Sequence, residues 1–143
     1  MIIFSDGGAR GNPGPAAIGF IVLSDEDNIL IKKARYVGLR TNNQAEYEAL
    51  IAAIEFAITV HAEEIICYLD SELVVKQLNG EYTVKNSELR ILWRKVHELS
   101  NRFKKASFKS VPRTNYQIRK ADALVNAALD EFSSHSDIEN YSR

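Results

Sequence analysis

The stretch TNNQAEYEALIAAIEFAITVHAEEIICYLD, residues 41–70, combines a helical pattern with a buried strand. Apolar side chains recur at helical spacing from 43 to about 61. The segment EIICYL (64–69) is nearly continuously apolar, as is typical of a strand covered on both faces of its sheet. Strand–helix–strand units of this kind recur along the chain and predict an α/β fold, with the later strands parallel to the first.

Glu46 interrupts the apolar stripe of this helix. Positions 46, 50, 53 and 57 share one helix face, and the other three are Leu50, Ala53 and Ala57. One explanation is capping, with Asn43 as the N-cap and Glu46 three residues later in a capping box. The other explanation is an inward-facing functional acid, and this helix alone does not decide between them.

The remaining pattern predicts strands, helices and one Gly/Pro loop. We predict strands at 1–5, 18–24, 29–37, 64–69 and 106–111, helices at 43–61, 71–78, 88–103 and 120–132, and a loop at 7–17. Residues 1–132 are expected to form one domain, followed by a polar, frayed tail at 133–143.

Composition narrows the class of protein. The 143 residues, 45% of them apolar, suit one globular domain. No apolar run reaches membrane-spanning length, so no membrane partner is expected. One cysteine, Cys67, favours a reducing compartment, and we expect a cytoplasmic location. His61, His97 and His135 lack neighbours at ligand spacing, which disfavours a zinc site.

Charge is unevenly distributed along the chain. The net charge is −1, yet residues 85–120 carry 11 Lys and Arg against Glu88 and Glu98. A basic block of this kind suits either a polyanion-binding surface or a solvated surface that serves only solubility. The sequence leaves both interpretations open.

Four acids have ordinary explanations singly and a shared explanation together. Asp6 and Asp70 each end a predicted strand, while Glu46 and Asp122 each begin an apolar stripe in the first turn of a predicted helix. Parallel strands would bring all four to one sheet edge, where ligand sites open in α/β folds. Clustered carboxylates need a shared proton or divalent cations, and all-oxygen ligands favour Mg²⁺ or Mn²⁺.

Four segments together resemble the ribonuclease H type 1 family, especially its archaeal and related short bacterial branch. They are SDGGARGNPGPAAIGFIV, TNNQAEYEALIAAI, YLDSELVVKQLNGEY and RKADALVNAAL, in the order and spacing of that family. The resemblance runs from residue 1 to about 132. It implies a five-stranded mixed sheet of order 3-2-1-4-5, with strand 2 antiparallel, flanked by helices.

The resemblance also implies an activity and a cofactor. The expected reaction is endonucleolytic cleavage of the RNA strand of an RNA/DNA hybrid, leaving 5′-phosphate and 3′-hydroxyl ends. Two Mg²⁺ or Mn²⁺ ions would be held by the four acids. Asp6 and Asp70 would contact both or either ion, while Glu46 would hold one and Asp122 the other.

Substrate contacts are implied by the same resemblance. Asn12, Asn42 and Asn43 fall on positions that contact the substrate backbone, and Thr41 falls on one that grips a DNA phosphate. Arg113 stands in the mobile loop where many bacterial members carry a histidine, with Arg119 as the alternative for that role.

The basic protrusion of many bacterial members is missing from this chain. The grip on the hybrid is then expected from other cations: Lys85, Arg90, Arg94 and Lys95. Two other functions stay open, a non-catalytic hybrid-binding module and a nuclease of the same fold that acts on duplex RNA. A monomer is expected.

Overall fold

The computed structural model describes the backbone of residues 1–141 and the side chains of residues 1–135, and it contains five strands and four helices. The elements are β1 (Ile2–Ala9), β2 (Gly14–Leu23), β3 (Ile29–Arg40), α1 (Asn42–Thr59), β4 (Glu64–Leu69), α2 (Glu72–Leu78), α3 (Ser87–Ser100), β5 (Lys105–Ser110) and α4 (Tyr116–Tyr141). The predicted α/β class is confirmed.

The five strands form one mixed sheet in the order β3-β2-β1-β4-β5. β2 is antiparallel to both β1 and β3, whereas β4 is parallel to β1 and β5. The predicted order and the antiparallel strand 2 are therefore confirmed.

Helices cover both faces of the sheet. Ile3 points to the face packed by α1, α2 and α3, whereas its neighbour Phe4 points to the face where α4 lies. This alternation explains why the central strands are apolar on both sides. Within the described residues, no helix is both long enough and apolar enough to cross a membrane.

The predicted loop at 7–17 is wrong over most of its length. β1 continues to Ala9 and β2 begins at Gly14, so the two strands pair from Ile2↔Leu23 to Ala9↔Ala16. Backbone pairing with β2 holds this Gly- and Ala-rich segment in the sheet despite its low strand propensity. Asp6 consequently lies within β1 and not after it.

The predicted cap of α1 is also wrong. The N-cap is Thr41, whose hydroxyl accepts from the Gln44 backbone N–H, while the Gln44 side chain accepts from the Thr41 N–H. This capping box leaves Asn43 and Glu46 without a capping role. Helix capping therefore does not explain the position of Glu46.

The last helix is longer at both ends than predicted. α4 begins at Tyr116, after the Asn115 side chain accepts from the N–H groups of Gln117 and Ile118, and it runs to Tyr141 instead of ending at 132. Asp122 therefore lies in the second turn of α4, not the first. The division of the chain at 132/133 stays a prediction.

Candidate active site

Asp6 and Asp70 meet because their strands are parallel neighbours. β1 and β4 pair from Ile2↔Ile66 to Phe4↔Tyr68. Two residues past that pairing on each strand come Asp6, still paired with β2, and Asp70, immediately after β4. The sheet register thus sets the two carboxylates side by side.

Glu46 reaches the same point from the first turns of α1. A Cβ on Gly7 would lie 2.1 Å from the Ala45 carbonyl oxygen and 2.6 Å from the Glu46 backbone nitrogen, so a side chain at Gly7 would push the helix off the strand. With glycine there, one carboxylate oxygen each from Asp6, Glu46 and Asp70 lie within 4.8 Å of one another.

Asp122 approaches the cluster from the opposite face of the sheet. Gly19 is the β2 partner of Asp6, and a Cβ on it would lie 2.6 Å from the Ala121 carbonyl oxygen of α4. This close packing brings Asp122 near enough to Asp6 for a hydrogen bond between the two carboxyl groups when one is protonated.

The four acids line one cavity of about 370 Å³ at the edge of the sheet. Its floor holds Asp6 and Glu46, which are buried, and Asp70, whose side chain is 13% exposed. The described lining also includes the Gly7–Arg10 segment, Asn42 and Asn43. A polar cleft with converging acids of this kind is suited to binding a cationic group together with a polar ligand.

Crowding and burial disfavour ionisation at the centre of the cluster. Burial raises the pKa of Asp6 from its ordinary 3.8 to about 7, and the charges of Asp70 and Asp122 act in the same direction. Burial likewise raises the pKa of Glu46 well above 4.5, reinforced by the charges of Asp6 and Asp70. A Gly7 backbone hydrogen bond opposes this shift only in part.

The donor set fits a divalent cation. Glu46 Oε2 and Asp70 Oδ1 are buried, yet neither has a hydrogen-bond partner among the described residues. Buried oxygens without partners are costly, and a cation would satisfy them while restoring the ionised forms. Carboxylate oxygens alone favour a hard ion such as Mg²⁺ or Mn²⁺.

Arg113 extends over the edge of the cluster. Its Nε donates to Asp70 Oδ2 at 3.3 Å, although its side chain is 87% exposed. Arg119 is also exposed on α4, but it is not part of the cavity lining, whereas Arg113 is. The structure therefore brings Arg113, and not Arg119, to the carboxylates.

The three asparagines named from the sequence lie at the mouth of the cavity or beside it. Asn42 Oδ1 accepts from the Ala9 N–H at 2.8 Å, and Asn12 Oδ1 accepts from the Asn42 N–H at 3.0 Å. These bonds join the β1–β2 loop to the start of α1. The amide NH₂ groups of Asn12 and Asn42 stay available to donate to a ligand.

The start of α3 lies beside the start of α1. Gln44 Nε2 donates to Glu88 Oε2 at 2.8 Å, linking the two helix ends. The four cations expected to grip the substrate are all exposed in this region: Lys85, Arg90, Arg94 and Lys95. Arg90 is partly engaged, since its Nε and Nη2 donate to the Val84 carbonyl at 3.1 and 2.8 Å.

Sequence reasoning missed Gly7, Gly19 and Arg10. The two glycines permit the close packing that sets the acids together, and no local pattern distinguishes them from turn glycines. Arg10 lines the cavity from a segment that was interpreted only as a Gly/Pro loop. A positive charge inside that loop was the signal that could have identified it.

Comparison with known proteins supports one family. Residues 4–128 match the family described as "Reverse transcriptase-like". A curated ribonuclease HI of Halobacterium salinarum is 42% identical over 128 residues, covering 90% of this chain and 63% of that protein. A bifunctional protein of Mycobacterium tuberculosis is 38% identical over 131 residues, and the chain spans 35% of its length.

Solved structures agree with that assignment. RNase H1 of Halobacterium salinarum superposes with a TM-score of 0.87 at 42% identity, over 91% of this chain and 97% of that one. LC11-RNase H1, solved in complex with an RNA/DNA hybrid, gives 0.83 at 39% identity, over 91% and 96%. With this fold, this cluster of acids and these relatives, the chain belongs to the ribonuclease H type 1 family.

Proposed function

We propose that this protein is a metal-dependent endoribonuclease that hydrolyses the RNA strand of RNA/DNA hybrids, leaving 5′-phosphate and 3′-hydroxyl ends. The observation that carries the proposal is the cluster of Asp6, Glu46 and Asp70 within 4.8 Å, with two buried oxygens that lack partners. Membership of the family and the hybrid-bound LC11-RNase H1 neighbour support the choice of substrate.

Asp6, Glu46, Asp70 and Asp122 would hold two Mg²⁺ or Mn²⁺ ions. When bound, such ions activate a water as nucleophile and stabilise the charge on the leaving 3′-oxygen. The carboxylates themselves supply the negative charge that retains the ions, and the tight packing at Gly7 and Gly19 keeps them in place. This preorganisation means that the site need not rearrange when the substrate enters.

The start of α1 and the β1–β2 loop would hold the nucleic acid backbone. Asn12, Asn42 and Asn43 can donate from their side-chain amides to phosphate or ribose oxygens. Thr41, the N-cap of α1, keeps its hydroxyl proton available for a phosphate of the DNA strand. Contacts to the 2′-hydroxyl are the means by which such a site distinguishes RNA from DNA.

Arg113 would act on the phosphate near Asp70 or steer the acids after cleavage. It stays charged at every working pH, so it can attract a phosphate or compete for Asp70, but it cannot carry protons near neutrality. Its single contact at 3.3 Å and its high exposure leave it free to change partners as product departs.

A cleavage assay tests this function directly. Labelled RNA/DNA hybrid, duplex RNA and duplex DNA are incubated with Mg²⁺, with Mn²⁺ or with EDTA. We expect cleavage of hybrid RNA with metal only, and product ends are identified by their response to phosphatase and ligase. Binding without cleavage would support a non-catalytic module instead, and equal cleavage of duplex RNA would broaden the substrate class.

We also propose that the protein acts as a monomer in the cytoplasm. Size-exclusion chromatography with light scattering tests the first part, since a dimer would elute at about twice the chain mass of 16.1 kDa. Fractionation of cells that express the tagged protein tests the second part.

A further inference from the structure

Arg10 is a second arginine at the rim of the active-site cavity, and the proposed mechanism does not use it. It lies in the short loop between β1 and β2. Among the described residues that line the cavity, Arg10 and Arg113 are the two cations. They lie on different sides of the acids, because Arg113 pairs with Asp70 and Arg10 pairs with α4.

The guanidinium of Arg10 is held by α4. Its Nη2 donates to Asp130 Oδ1 at 2.6 Å and reaches the Asn126 carbonyl oxygen at 3.5 Å. Its Nε and Nη1 have no hydrogen-bond partner within residues 1–135. Nη2 therefore fixes the group, while Nε and Nη1 each remain able to donate a hydrogen bond to a phosphate oxygen.

Stability does not explain the Arg10–Asp130 pair. The two side chains are 43% and 70% exposed, and ion pairs this exposed add little to folding. The loop is already joined to α1 through Asn42, which bonds both Ala9 and Asn12. A second tie to α4 is thus not needed to hold the loop.

Helix geometry sets how far Arg10 lies from the metal-binding acids. Asn126 and Asp130 follow Asp122 at successive turns of α4, and Asn126 Nδ2 donates back to the Asp122 carbonyl at 3.2 Å. Asp130 is consequently roughly 12 Å from Asp122 along the helix. That span corresponds to a few nucleotides at about 3.4 Å of rise each.

We propose that Arg10 binds a backbone phosphate of the strand being cleaved, a few nucleotides from the cleaved bond, with Asp130 as its positioning residue. This inference rests on the proposed function. Four acids would repel a polyanion on their own, and a cation on each side of them draws the backbone across the cluster.

The experiment measures hybrid affinity against salt concentration, in a Glu46→Gln background with Mg²⁺ so that the hybrid stays intact. Arg10→Ala should reduce the magnitude of the slope of log K against log salt by about 0.7–0.9, the value of one phosphate contact. Arg10→Lys should keep the slope, because it keeps the charge. Asp130→Asn should also keep it, because the arginine remains.

A matched control removes an equal charge far from the site. Arg102 lines a surface cleft with Thr59 and His61, at the far end of α1, roughly 27 Å from its start. Arg102→Ala should leave the slope unchanged. In the active protein, Arg10→Ala should raise KM about 5- to 10-fold while kcat stays within about 3-fold, as expected for a backbone contact away from the cleaved bond.

An unchanged slope in Arg10→Ala, together with an equal loss of thermal stability in Arg10→Ala and Asp130→Asn, would overturn the inference in favour of a loop tie to α4. If the wild-type protein failed to cleave hybrid in the assay described above, the proposed function would be contradicted and this inference with it. Thermal unfolding of Arg10→Ala and Arg10→Lys checks that both variants are folded.

Discussion

At the scale of single residues, Glu46 is the side chain whose role the sequence left open and the structure narrows most. The capping box of α1 is formed by Thr41 and Gln44, so Glu46 does not stabilise the helix end. Its buried Oε2 has no partner among the described residues. A residue that costs folding energy and has no structural role is a strong candidate for a metal ligand.

Glu46→Gln and Asp70→Asn should each abolish hybrid cleavage and leave the fold intact. Removing one charge from a crowded acidic cluster relieves repulsion. The free energy of unfolding of each variant without metal should therefore equal or exceed that of the wild type. Urea denaturation in EDTA and the cleavage assay measure the two effects.

Glu48→Gln is the matched control for this pair. Glu48 lies two residues further along α1 and pairs with Arg40 at 2.7 Å, outside the cavity. That variant should cleave normally. A Glu46→Gln protein that is destabilised by about 0.5–2 kcal/mol but fully active would contradict the metal-ligand role of Glu46.

Arg113→Ala should lower turnover about 10- to 100-fold, roughly 1.4–2.7 kcal/mol, with hybrid affinity changed only a few-fold. The reason is its position over Asp70, where it can act on the phosphate or the carboxylates but adds one contact among many. Arg113→Lys should recover part of the rate. Single-turnover and steady-state kinetics separate chemistry from product release.

Arg119→Ala provides the comparison for Arg113, because it removes the same charge from an exposed position outside the cavity lining. It should turn over normally. The opposite result, a normal Arg113→Ala and an impaired Arg119→Ala, would assign the mobile-loop role to Arg119.

At the scale of elements, the sequence was most informative where periodicity was long and least informative at glycines. The bounds of β4 were predicted correctly, since EIICYL is nearly continuously apolar. The β1–β2 hairpin was missed because glycine and alanine carry little strand signal. There the neighbouring strand, and not the local sequence, determines the structure.

The start of α4 was missed for a related reason. Asn115 caps the helix and Ile118 is fully buried, yet Tyr116 and Gln117 between them add no buried apolar residue to the helical pattern. Asp70 was predictable because it directly follows β4, whereas the strand end predicted at Asp6 was wrong, since β1 continues to Ala9. The contributions of Gly7 and Gly19 depend on packing between distant elements, which no local pattern reports.

The first residues of α3 lie beside the start of α1, so we expect the cations of α3 to contact the hybrid. Replacing Arg90 and Arg94 by alanine should flatten the salt dependence of hybrid binding by about 0.7–0.9 per lost phosphate contact. Arg94 should contribute more than Arg90, whose guanidinium already bonds the Val84 carbonyl. Fluorescence anisotropy over a salt series measures the slope.

Lys104→Ala is the control at the other end of α3. Lys104 faces Glu63 at 3.5 Å on the surface beyond the helix. Its loss should not change the slope. If the double Arg90 and Arg94 variant also left the slope unchanged, the basic block would be a solvated surface away from the substrate.

At the scale of the whole molecule, the fold holds its acids together at a cost to its own stability. α1 packs closely on β1 at Gly7, and α4 packs closely on β2 at Gly19 from the other face of the sheet. Asp6 lies between these two contacts. Stability of the metal-free protein is therefore coupled to the ionisation of this cluster.

Asp6 sets the sign of that coupling. Its pKa is raised from 3.8 to about 7 in the folded protein, so the folded state binds more protons than the unfolded state between these values. The contribution of Asp6 to the free energy of unfolding is then fully present below about pH 4 and is lost as the pH rises through 7.

The Asp6→Asn variant cannot ionise at this position, so its free energy of unfolding should exceed that of the wild type as the pH rises across this window, by about 1–3 kcal/mol at pH 8. Urea denaturation of both proteins in EDTA, from pH 4 to 8, measures the difference. Saturating Mg²⁺ should reverse it, since the wild type gains a ligand for the ion that the variant lacks. A difference between the two proteins that is constant with pH would show that Asp6 is ionised throughout, and that burial does not control its charge.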